Sequence, residues 1–172
     1  SKILAMVSND VEVDSLATDA EGLIVLDETP FYAESGGQVG DLGRISWSGG
    51  EFQVTDVRYL AHKVIAHFGR VVSGAPKLGD SVECVVDSNN RSATAANHSA
   101  THLLHSALRE VLGDHVQQKG SMVNAERLRF DFSHGEAVSS ADIDKIEQIV
   151  NHQIRINSGV NTRVMNLDDA RE

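Results

Sequence analysis

Hydrophobic and polar positions alternate in short runs over the first half of the chain, the period-two signature of strands with one buried face. The runs predict strands over Ala5 to Val13, Gly22 to Asp27, Leu42 to Trp47, Phe52 to Leu60, Lys63 to Val71 and Ser81 to Asp87. Turn signals at Gly36-Gly37, Gly49-Gly50 and Ser73-Gly74-Ala75-Pro76 separate them. Strands so evenly spaced suggest a small antiparallel β-barrel-like module or sandwich over residues 1–88.

After about Ser88 the period lengthens towards that of a helix. Ala100, Leu103, Leu104, Ala107, Leu108 and Val111 recur at helical spacing, which predicts a helix over Asn97 to Leu112 with Asn97 as its cap and Gly113 as its stop. Leu128, Phe130 and Phe132 then alternate with Arg127, Arg129, Asp131 and Ser133, the clearest strand pattern in the chain. A second helix is predicted from Ser140 to Asn157 through Ile143, Ile146, Ile149, Val150 and Ile154, with a start signal at Ser139-Ser140-Ala141-Asp142 and Gly159 as its stop. The fold class expected is α+β, with residues 89–172 forming an α+β core whose helices pack on a sheet. Ser88-Asn89-Asn90 is the expected boundary, and no internal repeat or low-complexity segment interrupts either part.

Composition narrows the setting. The 172 residues, 41% of them hydrophobic, suffice for one or two modest cores. No apolar run approaches the roughly 20 residues of a membrane span, and Ser1 to Asp14 lacks the features of a secretory signal, so a cytoplasmic protein is expected. The single cysteine, Cys84, forms no disulfide within the chain and alternates in phase with Val82 and Val86, which reads as a core thiol. The net charge of −10 disfavours a chain that grips a polyanion by its own bulk charge. Nine acidic residues from Asp10 to Asp41 face one basic residue, Lys2, over positions 1–41. A nucleic-acid handle is therefore expected on Lys119, Arg127, Arg129, Arg155 and Arg163, or on parts of a parent protein.

The stretch Asn97-His98-Ser99-Ala100-Thr101-His102-Leu103-Leu104-His105 carries the most chemistry. At about 100° per residue, His98 and His102 stack one turn apart on one helical face, where two imidazoles can reach one zinc ion. In the zinc-protease pattern a glutamate general base follows the first histidine; Ser99 stands there instead and disfavours that chemistry. His105 is read as a packing or second-layer residue. A tetrahedral site needs further ligands, and no spacing recommends His62, His67, His115, His134 or His152.

A second motif, Pro30-Phe31-Tyr32-Ala33-Glu34-Ser35-Gly36-Gly37-Gln38, joins aromatic residues to glycines that permit close backbone approach, without the lysine of a phosphate-binding loop. These two motifs, followed by His115-Val116-Gln117-Gln118-Lys119-Gly120-Ser121 and Leu128-Arg129-Phe130-Asp131-Phe132-Ser133-His134, closely resemble the editing region of bacterial alanyl-tRNA synthetases, in the same order and through essentially the whole chain.

The resemblance implies hydrolysis of the ester in tRNA(Ala) mischarged with serine or glycine. His98 and His102 match zinc-ligand positions, Thr101 and Gln118 match editing-pocket positions, and Gly36, Gly37 and Gln38 match a glycine motif associated with substrate. The family completes its zinc site from a Cys-x-x-x-His motif, which does not occur before Glu172, so a fragment of a longer protein is expected. ATP-dependent charging would belong to another part of the parent. A second hydrolytic sieve answers a real limit: an alanine pocket rejects glycine and serine weakly, whereas a site that pairs the seryl hydroxyl discriminates strongly. Thr101 is the candidate for that hydroxyl, against the plainer role of bonding back to its own helix. Gln118 could hold water or substrate; a neutral amide is too weak a base to take the proton. The rival readings are a free-standing trans-editing deacylase, the related editing domain of threonyl-tRNA synthetase, and a non-catalytic tRNA-binding module.

Overall fold

A computed structural model describes residues 1–159 and 165–166. Among these, strands β1 (Ile3–Ser8), β2 (Val11–Glu12), β3 (Glu21–Leu26), β4 (Gly43–Trp47), β5 (Gly50–Tyr59), β6 (Ile65–Ser73) and β7 (Glu83–Val86) form one antiparallel sheet in the order β2-β1-β3-β6-β5-β4-β7. The expected barrel does not close, because β2 and β7 remain edges among the described residues. Partial closure comes from backbone bonds at one end: Ile3 N donates to Asp80 O and Val82 N to Ser1 O, at 3.1 and 2.9 Å. The alternation read from sequence puts Met6, Ile24, Ile45, Phe52, Val54 and Val57 into the sheet's apolar core, all fully buried.

The second part comprises α1 (Ser88–Leu112), the hairpin β8 (Gln118–Val123) and β9 (Leu128–Phe132), and α2 (Ser140–Ile156). The whole is α+β, mostly antiparallel sheet with two helices, as the sequence pattern indicated. Ala107, Leu108, Val116 and Ile146 form its buried cluster, with Leu104, Phe130, Phe132 and Ile149 packed around them. Ile146 fastens α2 at 5% exposure; cutting a buried isoleucine back to alanine typically costs about 2–5 kcal/mol.

One expected boundary moves clearly. α1 begins at Ser88, not Asn97, because Asp87 is the cap: its carboxylate accepts from the backbone N–H of Asn89 and Asn90, both at 3.0 Å. From Ser88 to Asn97 the only apolar residues are Ala93, Ala95 and Ala96, too few and too small to show a helical period, and Ser88-Asn89-Asn90 opens the helix. α2 ends where expected, at Ile156, and Ser139 caps its start; its stop residue is Asn157, in the left-handed region at φ 51° and ψ 48°, rather than Gly159.

Candidate functional site

Three segments meet where α1, β8 and the glycine loop converge. Ser35 and Gln38 exchange backbone hydrogen bonds of 3.1 and 3.0 Å across a turn whose Gly36 and Gly37 hold φ of 60° and 86°. The loop then docks on the free edge of β8: Val123 N donates to Gly37 O at 2.8 Å, and Val39 N to Val123 O at 3.0 Å. Gly37 is required twice over, by its positive φ and because a Cβ there would lie 2.5 Å from the Ser121 carbonyl oxygen. The helix is tied to the same place, since the Asn97 side-chain amide donates to Asn124 O at 2.8 Å. Asn97 is thus a bridge from mid-helix to the hairpin rather than a cap.

On this platform the His98 and His102 rings stack nearly parallel, 5.1 Å between centroids and 16° between planes. His98 is half-buried and His102 exposed. His98 Nδ1 lies 2.6 Å from Gln38 Oε1, across 60 positions of sequence. An amide oxygen only accepts, so Nδ1 carries the proton in this bond, which in a neutral ring leaves Nε2 with its lone pair. A neutral imidazole with one nitrogen so held is the usual state of a zinc-ligating histidine. His98 and His102, stacked one turn apart, are the two residues here that could hold a metal ion together. Among the described residues no group of three or more His, Cys, Asp or Glu side chains is placed to hold an ion.

Thr101, 5% exposed, donates its hydroxyl to Asn97 O at 2.9 Å. Two lone pairs of that oxygen remain to accept from another hydroxyl. Thr94 and His105 lie at helical spacing from Thr101 on α1, and Thr94 Oγ1 and His105 Nε2 are buried without a hydrogen-bond partner among the described residues. His105 also packs against Phe130, its centroid 5.1 Å away. Gln118 is exposed at the start of β8, at the opposite end of that strand from Val123. The structure thus brings Gly37 against β8 and Gln38 against His98, which stacks on His102, with Gly36 in the same turn; Thr101 is buried on the same helix and bonds to it, and Gln118 lies at the other end of β8 from the loop.

The other histidines go elsewhere. His67 is fully buried on β6, His115 and His134 bond to each other at 2.9 Å, and His152 is exposed on α2. Burial pushes the His67 pKa down; its Nδ1 donates to Ile24 O at 2.9 Å, and its Nε2 accepts from the Thr29 hydroxyl at 2.7 Å. Cys84 is half-buried against the sheet core, and burial raises its pKa, so it has the character of an inert thiol. Lys119, Arg127, Arg129 and Arg155 are exposed, Arg129 being paired with Asp131 at 3.1 Å; Arg163 and the His62 side chain lie outside the described residues. No helix among the described residues is long and apolar enough to cross a membrane.

Sequence reasoning did not find the Gln38–His98 bond, the Asn97 bridge, or the clasp of Arg91 on Asp41 at the root of the glycine loop. Each joins residues far apart in the chain, and no local period encodes such a contact.

Comparison with known proteins supplies the family. Residues 1–90, just over half of the chain, match the profile of the family described as tRNA synthetases class II (A), and the chain belongs to that family. It is 50% identical over 171 residues to the alanine--tRNA ligase of Delftia acidovorans, covering 99% of this chain and 20% of that protein. The alanine--tRNA ligases of Saccharophagus degradans and Rhodopseudomonas palustris are each 51% identical, covering 100% and 99% of this chain and 20% and 19% of theirs. The chain spans about a fifth of the length of the curated relatives it matches.

Proposed function

We propose that this chain is the editing region of an alanine--tRNA ligase and hydrolyses the ester of Ser-tRNA(Ala) or Gly-tRNA(Ala). The observation that carries the reading is the stacked His98–His102 pair on the helix that also bears Thr101, with His98 bonded into the glycine loop through Gln38. The 50–51% identity to alanine--tRNA ligases along the chain supports it. In this reading residues 1–88 are a β module that supplies the loop, residues 89–172 belong to the editing core, and the rest of the parent ligase supplies charging, ATP binding and part of the grip on tRNA. The setting is cytoplasmic.

His98 and His102 hold two positions of a zinc site, and further ligands come from the longer parent chain. Bound zinc would act as a Lewis acid towards the ester carbonyl or the attacking water, or would orient the substrate amino group. The chain's own residues do the selecting. Thr101 keeps its donor bond to Asn97 O and accepts from the seryl hydroxyl, an interaction that alanine cannot make. His105 Nε2 and Thr94 Oγ1, buried without a partner among the described residues, add polar capacity along the same helix. Gly36, Gly37 and Gln38 shape the substrate side of the junction, and Gln118 orients water or substrate without taking a proton.

The test is deacylation of Ser-tRNA(Ala) by the parent ligase, with bound zinc quantified. His98→Ala and Gln118→Ala should each lower the rate, His98→Ala by more than the roughly 10–100-fold that follows loss of a residue that only orients a metal ligand. Unchanged rates in both variants would remove the assignment. A non-catalytic tRNA-binding module is the second reading, favoured by the Thr101 hydroxyl's bond into its own helix. It predicts tRNA binding with no hydrolysis in any variant.

A further inference from the structure

Gln38 stands among the substrate-side residues of the glycine motif, yet its amide is engaged by the protein itself. Its backbone is held from two directions, by the reciprocal bonds with Ser35 and by the parallel bridge to Val123. The His98 backbone is held against the same hairpin through the neighbouring Asn97 and its bond to Asn124 O. Both ends of the Gln38–His98 contact are thus referenced to the 123–124 end of β8, and the side chains span a gap that the backbone has already set. Gly37 allows the approach, since any Cβ there meets Ser121 O at 2.5 Å.

We infer that Gln38 is a positioning residue: its amide oxygen accepts the Nδ1 proton of His98, holding that imidazole in the tautomer whose Nε2 lone pair is free. A free imidazole prefers its proton on Nε2, so the protein must select the other tautomer, and a single 2.6 Å acceptor does so. The inference rests on the editing reading for its purpose, since a zinc ligand needs a defined tautomer and ring orientation. The contact itself is independent of that reading.

The deciding measurement is nitrogen-15 NMR of the histidine rings in this chain at about pH 8.5, about two units above the ordinary histidine pKa. His98 is assigned by its loss in His98→Ala. The wild-type ring is expected to carry its proton on Nδ1, Gln38→Leu to move it to Nε2, and Gln38→Glu, which keeps an acceptor, to retain Nδ1–H. Gln38→Ala repeats the removal with no added bulk should the leucine variant fail to fold. A proton on Nε2 in the wild type, or no change on removing the acceptor, overturns the inference. In the parent ligase, zinc affinity measured by chelator competition should fall about 10–100-fold in Gln38→Leu and recover in Gln38→Glu. Zinc affinity untouched by His98→Ala would sink the ligand assignment of the editing reading, while the tautomer result decides Gln38 separately.

Discussion

Arg91, in the first turn of α1, closes on Asp41 at the end of the glycine loop: Nε donates to Oδ1 at 3.2 Å, and Nη2 reaches both Oδ2 and the Pro30 carbonyl, the latter at 2.7 Å. The Asp41 side chain is 6% exposed and Arg91 43%. The carboxylate also accepts from Tyr32 N, so one buried charge gathers both ends of the 30–41 loop onto the helix. Asp41 also raises the Arg91 pKa, chiefly through their hydrogen bond.

Removing Arg91 leaves that buried carboxylate short of its main donor. Arg91→Ala should destabilise the chain by about 1–3 kcal/mol, towards the lower end because the arginine is partly solvated. Urea unfolding measures this, and a loss within error of zero would show that the clasp is ornamental. Arg91→Lys should recover only part, since an ammonium cannot repeat the fork to Asp41 and Pro30.

The two loop glycines should respond differently. Both hold positive φ, which costs a side chain about 1–2 kcal/mol. Gly36→Ala meets open space and should lose about that much. Gly37→Ala must in addition displace the loop from Ser121, so its loss should be larger, and it should weaken the Gln38–His98 bond as well. Equal losses in thermal unfolding would show that the loop does not need its close approach to β8.

His67 should make the fold acid-sensitive. Its folded pKa is held below the ordinary value by burial, and its Nε2 must stay unprotonated to accept from Thr29. The unfolded chain therefore binds the proton more readily. The stability contributed by neutral His67 is complete above its unfolded value of about 6.5, declines as pH falls below it, and is gone once pH has passed the lower folded value. His67→Gln should flatten that limb of a stability–pH curve. An unchanged slope would show that His67 does not carry it.

Thr101→Val separates scaffold from selection. The hydroxyl's bond to Asn97 O is a local helix bond, so its removal should change stability by less than about 1 kcal/mol. In the parent ligase the same change should erode the preference for hydrolysing Ser-tRNA(Ala) over Ala-tRNA(Ala), by a factor on the order of 10 or more. A kept preference would leave Thr101 with the helix bond alone.

Strands β3 to β7 and β9 and both helices were legible because each buries one face, and burial imposes its period on the local sequence; β8 was not, and the expected strand from Ala5 to Val13 is broken at Asn9 and Asp10, both at positive φ, into β1 and β2. Met6, Ile24, Phe52 and Val54 in the sheet core, and Leu108 and Ile146 in the second cluster, all follow that rule. The pairing of His98 with His102 was legible for the same reason, being a contact within one helix. The start of α1 was not, because the residues from Ser88 to Asn97 include few apolar ones and their partners lie on the glycine loop and hairpin.

The sequence by itself determined the α+β class, the placing of two imidazoles one turn apart, and the glycines that let a loop turn sharply. Only the tertiary structure decided that the sheet closes only in part among the described residues, that Asn97 bridges instead of capping, that Arg91 clasps Asp41, and that Gln38 meets His98 from 60 positions away. Local periodicity reports which face of an element is buried. It carries no record of which distant polar group will satisfy a donor once that face has found its neighbour.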